Sequence, residues 1–165
     1  MIVLIVGALL MSAAIVLAFM RPTAGVVCAY AGVWALRTAG YCPVATATIL
    51  FWAIAVLLVV SIDMARHTPL LIPFRARCFI TGGALAAMAI GIAIWPNGTI
   101  ICTAAGVILG LIAYAGTAHF RDYRTLSRWG VAAGLPAIIT ASLIALSLLG
   151  LIAKAPAAWR RHTRL

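Results

Sequence analysis

Residues 2–20 carry no charged side chain, and uncharged apolar runs recur at 44–62, 79–95, 99–118 and 130–153. A helix needs about 20 apolar residues to cross a ~30 Å hydrocarbon core, so runs of this length read as membrane spans. Composition agrees: 66% of the chain is hydrophobic and 8% charged, against roughly half and a quarter in soluble globular chains. Spans at this spacing use residues 1–165 as a single transmembrane domain. The predicted fold class is an all-α, polytopic transmembrane helix bundle of five or six spans.

The span count turns on residues 24–36, a stretch short for a crossing. It either crosses, with Arg37 snorkelling to lengthen it, or forms a re-entrant or interfacial element. The first run lacks the basic flank of a cleavable signal peptide and is expected to stay as a helix.

Punctuation between the runs is specific. Arg21-Pro22 ends the first, and Asp63 ends the third, before a loop holding Arg66, Pro69, Pro73, Arg75 and Arg77. Pro96-Asn97-Gly98 has the chemistry of a tight turn, so 79–95 and 99–118 are expected to be antiparallel neighbours. A basic loop, Arg121-Asp122-Tyr123-Arg124, precedes the last run. Trp95, Trp129 and Trp159 sit at run ends, as an interfacial aromatic belt requires. Trp52, in mid-run, is expected inside the bundle.

Charge is lopsided, 12 Lys+Arg against 2 Asp+Glu. In a soluble protein that balance suggests nucleic acid; here the cations flank apolar runs, where they meet lipid phosphates and set topology. Membrane lipids are therefore the expected partners, and nucleic acid is not. With the first helix starting outside, Arg21 and the basic segments 66–77 and 121–128 face the cytoplasm and the Pro96 turn faces out. Lys154, Arg160, Arg161 and Arg164 then fall outside, against the positive-inside trend. A cytoplasmic tail would require Gly134-Leu135-Pro136 to break the last run into a re-entrant pair.

The halves share a pattern, because Pro22, Cys28, Ala31, Gly32 and Val33 recur in order and spacing as Pro96, Cys102, Ala105, Gly106 and Val107. Two units, 1–62 and 79–153, with three crossings each would be inverted repeats, a construction that places small-molecule sites at the repeat interface. Such a site would gather Pro22, Thr23, Cys28, Asn97, Thr99 and Cys102.

Apolar helices in lipid associate by close van der Waals contact between small residues. Gly83, Ala87 and Gly91 recur at four-residue spacing, as do Gly106 and Gly110, and Gly130 and Gly134. Ala137, Ala141 and Ala145 continue the last stripe. These are the predicted helix-packing residues, and the same chemistry makes a second copy or another membrane protein a candidate partner.

The order of features, an apolar helix, a proline turn, a short stretch with Gly32, a helix ending at Asp63, a glycine-rich hairpin and a final helix, resembles a bacterial family. This is the family of small glycine-rich membrane proteins of domain of unknown function four-five-six. The first turn, Arg21-Pro22-Thr23-Ala24-Gly25, is less glycine-rich than that family's, and acidic residues near the end of the fourth run are missing. The resemblance implies a fold and a location, the bacterial cytoplasmic (inner) membrane, and carries no activity.

The runs contain no Asp, Glu, Lys, Arg or His in their interiors, so neither general acid–base catalysis nor ion-coupled transport has its usual side chains. Asp63 and Asp122 have arginines within helical reach, which suggests surface ion pairs. His67, His119 and His162 lie at run ends. Cys28, Cys42, Cys78 and Cys102 form no CxxC pair and read as inert thiols. No metal or cofactor is expected. The expected function is non-enzymatic, a structural or assembly role through helix contacts, with a small permease or channel for a neutral molecule as the alternative.

Overall fold

Proline 22 sets the first hairpin. In the computed structural model, which describes residues 2–42, 44–65, 72–94, 98–118 and 123–162, α1 (Ile2–Met20) and α2 (Pro22–Thr38) are separated by Arg21 alone. Arg21 is extended at φ −137° and ψ 94°, the conformation a following proline imposes. Proline at the first helical position then starts α2 without sacrificing a ladder hydrogen bond.

So short a connection forces the two backbones together. A Cβ on Gly25 would lie 2.8 Å from the Ala18 nitrogen, and Gly32 faces Met11 while Gly7 faces Leu36. Those pairings run antiparallel along the whole of α2. Its 17 residues span about 25 Å at 1.5 Å per residue, so residues 24–36 follow the α1 axis and do not lie across it.

The end of α2 is a Schellman motif. Gly40, at φ 76°, occupies the left-handed position, Tyr41 N donates to Leu36 O at 3.0 Å, and Gly40 N donates to Arg37 O at 2.8 Å. Arg37 then donates to Thr46 Oγ1 at 2.7 Å and lies 5.6 Å from the Trp34 ring, tying α2 to the start of α3 (Thr46–Ala65).

The remaining elements are α4 (Phe74–Ile94), α5 (Thr99–Ala118), α6 (Tyr123–Trp129), a π-helical turn (Gly130–Gly134) and α7 (Leu135–His162). Two boundaries differ from the sequence expectation. Arg75 and Arg77 lie on the first turn of α4, and Arg124 and Arg128 on α6, where loops were expected. In each case the apolar face extends past the charges: Ala76 and Trp129, both buried, pack with Tyr114. Trp129, at the run end, is 7% exposed and packs on the protein. Trp52 packs inside, against α2 and α7.

Gly134-Leu135-Pro136 does not break the last run into a re-entrant pair. The backbone stays helical from Tyr123 to His162, widened only at the π turn. Pro136 accounts for that widening, since it has no N–H for the Ala132 carbonyl and its ring crowds that oxygen. Inserting one residue ahead of the proline relieves the clash without ending the helix.

Residues 139–145 of α7 are buried on every side, as befits a helix at the centre of the bundle. Ile139 and Leu143 meet Val26, Ala29 and Val33 of α2 and Val56 and Val59 of α3. Ala133 and Ala137 meet Ile80 and Ala84 of α4, and Ala141, Ile144 and Ala145 meet Met88. Both series ascend together, so α7 runs parallel to α4 and antiparallel to α5.

Size sorts the side chains in reverse of a soluble protein. Ala14, Ala29, Ala76, Ala84 and Ala141 are wholly buried, while Leu9, Phe51, Ile54, Leu57, Leu109 and Ile112 are exposed. A water-soluble fold puts such residues inside; a bundle solvated by acyl chains puts small ones inside so that backbones can close. Among the described residues, five helices, Ile2–Met20, Thr46–Ala65, Phe74–Ile94, Thr99–Thr117 and Arg124–Ile152, have the length and apolarity of a span. The protein is an all-α, multi-pass membrane bundle.

Candidate functional site

Three places gather groups that could act: the α4–α5 glycine contact, the seam where α4 meets the α1–α2 turn, and a cavity beside the π turn.

At the first, a Cβ on Gly83 would collide with the Gly106 carbonyl oxygen, one on Gly106 with the Gly83 oxygen and the Ala87 Cβ, and one on Gly110 with the Phe79 oxygen. Each glycine thus presents a Cα hydrogen toward the facing carbonyl, a weak attraction that recurs at close helix crossings. Gly91 sits 3.0 Å, counted from its ideal Cβ, from the Cys102 Cβ. Gly130 and Gly134 lie against a neighbouring face of α5, where a Cβ would meet Leu111 and Val107. All seven expected packing residues therefore lie on α5 or against one of two neighbouring faces of it, about 100° apart.

The second place was not anticipated. Pro22 has no N–H for the Ala18 carbonyl, its i−4 partner, and the Thr81 hydroxyl donates to that oxygen at 3.5 Å. One turn earlier on the same face of α4, an Arg77 NH₂ group donates to the Met20 carbonyl. Side chains four residues apart on α4 thus satisfy the carbonyls that the Arg21-Pro22 break leaves open. The Arg77 Nε is buried without a partner.

The third place is a cavity of about 10 Å³ lined by Thr23 of α2, Val59, Ile62 and Asp63 of α3, and Val131, Ala132, Leu135 and Pro136. It has room for about one water. The i+4 partner of the Ala132 carbonyl and the i+5 partner of the Val131 carbonyl are both the nitrogen of Pro136, which bears no hydrogen. Asp63 and Thr23 supply its polar side chains. Deeper in α7, the Thr140 and Ser142 hydroxyls are buried without a partner.

Of the six residues expected at a repeat interface, the five that are described are not brought to one place. Pro22 and Thr23 stand at the end of the bundle formed by the start of α4 and the end of α3. Thr99 and Cys102 stand at the far end of α4, against Gly91; α4 has 21 residues, so roughly 30 Å separates the two ends. Cys28 is half-buried within α2, and Asn97 lies outside the described residues. None of the four thiols is in a disulfide; Cys42 is buried, its Sγ donating to Leu146 O at 3.9 Å, and the others are half-buried. Among the described residues, no group of His, Cys, Asp and Glu could hold a metal ion.

The Asp63–Arg66 and Asp122 ion pairs expected from sequence involve Arg66 and Asp122, outside the described residues, as are Trp95, His67 and His119. No family model, no curated protein and no solved structure matches the chain, which leaves function to be read from its own geometry.

Proposed function

We propose that this is a non-enzymatic protein of the bacterial cytoplasmic membrane that acts through helix contacts, in a structural or assembly role. The observation that carries this reading is the unpartnered face of α3. Leu50, Phe51, Ile54, Leu57 and Leu58 form one exposed stripe on a helix that, among the described residues, packs mainly on α2 and α7, beside a core already closed by small residues. A partner helix laid on that stripe would complete the packing of α3. The resemblance to domain of unknown function four-five-six proteins supports the same location.

Single cysteines placed along α3 in a chain lacking its own four test this directly. Crosslinking in native membranes should give adducts at positions 50, 54 and 57 and not at the intervening 52 and 56. Absence of adducts along the whole stripe would leave α3 facing lipid and remove the reading.

A second reading, a permease for a neutral molecule, draws on the unpartnered Thr140 and Ser142 hydroxyls and the cavity at Asp63. In it the hairpins α1–α2 and α4–α5, each closed by glycine contacts, are inverted copies. Proteoliposome flux of small neutral solutes separates the two: transport lost on Thr140→Val would favour the permease.

A further inference from the structure

The α4–α5 hairpin is closed by glycines only as far as Gly110. Beyond it, toward the start of α4, the facing residues become Phe79 and Tyr114, whose ring centroids stand 6.0 Å apart. Small-residue contact gives way to aromatic contact there. A groove of about 480 Å³ opens, lined by Phe74, Arg75, Cys78, Phe79, Tyr114 and Thr117, within the ~300–1,000 Å³ typical of ligand sites.

We propose that this groove holds one anionic phospholipid, its phosphate on the Arg75 guanidinium and an acyl chain along Cys78 and Phe79. The floor is rigid: Tyr114, 8% exposed, is backed by Trp129 at 6.1 Å between centroids. Phe74 and Phe79 of its lining are exposed on α4, so an acyl chain can enter from the lipid side.

Charge complementarity names the occupant. Arg75 is exposed at the rim, and Arg21, Arg77, Arg124 and Arg128 stand at the same end of the bundle. Against the chain's 12 Lys+Arg there are 2 Asp+Glu, and Asp63 does not line the groove. A guanidinium at interfacial depth above an apolar trough matches an anionic headgroup joined to a chain. A zwitterionic lipid offers the same chain but sets an ammonium beside Arg75, and a free phosphate has nothing to fill the trough.

The test is native mass spectrometry of the full chain, titrated in neutral detergent with phosphatidylglycerol or phosphatidylcholine of matched acyl chains. Phosphatidylglycerol should be retained about fivefold better. Arg75→Gln, at an exposed side chain, should abolish that preference, and Cys78→Trp, which fills the trough and leaves every charge, should abolish retention. Arg21→Gln, at the same end but outside the groove, should change neither, and thermal unfolding of each variant verifies its fold. Equal retention of the two lipids, equal loss in Arg21→Gln and Arg75→Gln, or displacement by inorganic phosphate with no lipid retained would each overturn the site.

Discussion

The Ala18 carbonyl needs a donor that Pro22 cannot supply, and Thr81 provides one from 63 residues away. Thr81→Val keeps the shape and leaves the oxygen orphaned in an apolar surrounding. It should destabilise the fold by about 1 kcal/mol, with Thr81→Ser restoring most of the loss; equal midpoints for all three in denaturant titration would show that the oxygen finds another donor. At the α4–α5 contact, Gly83→Ala and Gly106→Ala drive a methyl into backbone oxygen and should each cost about 1–3 kcal/mol. Gly82 and Gly116 have open space at the same point, so alanine there should be neutral or stabilising by up to about 1 kcal/mol. Identical effects at 82 and 83 would mean that helix propensity, and not contact, governs these positions. The glycine stripes were legible because four-residue spacing maps directly onto one helix face. Arg77 and Thr81 were not, because their acceptors are fixed by how α4 crosses the α1–α2 turn, which no local pattern encodes.

Element boundaries follow the same division. Every apolar run became a helix, yet α4 and α6 begin before their arginines, since a long cation at a helix end can reach outward while its backbone stays in the ladder. Proline 136 is the other case: from sequence it is a breaker, but surrounded by α2, α4 and α5 the helix has more to gain from a π turn than from ending. Pro136→Ala removes the missing N–H and the ring clash and lets α6 and α7 join in plain α register. Losing the inserted residue rotates α6 by about 100° relative to α7 and carries Trp129 away from Tyr114. With the other four tryptophans replaced by phenylalanine, Trp129 emission should shift to the red and become open to quenching. An unaltered spectrum would show that the packing of Trp129 on Tyr114, and not the proline, maintains the π turn.

At the scale of the whole molecule, direction is set by the parallel run of α4 and α7. The first turn of α4 shares its end of the bundle with Arg21, Arg124 and Arg128, so that end carries the denser arginine set and should face the cytoplasm. The continuous helix from Tyr123 then has to deliver Lys154, Arg160 and Arg161 to the opposite face. Arg128 and Lys154 are 26 residues apart along the chain, roughly 40 Å along the helix, close to the ~40–45 Å of a bilayer with its headgroup regions; both charged flanks can therefore lie in polar surroundings with neither drawn into the hydrocarbon. Single cysteines at Arg75, Arg124, Asn97 and His162, in a chain whose four native cysteines are replaced, give the decisive measurement. An impermeant maleimide applied to intact spheroplasts should label positions 97 and 162 and reach 75 and 124 only after lysis. Labelling of 75 together with 97 from one side would break the α4–α5 hairpin as a transmembrane unit, and protection of 162 beside labelled 97 would mean that α7 does not cross.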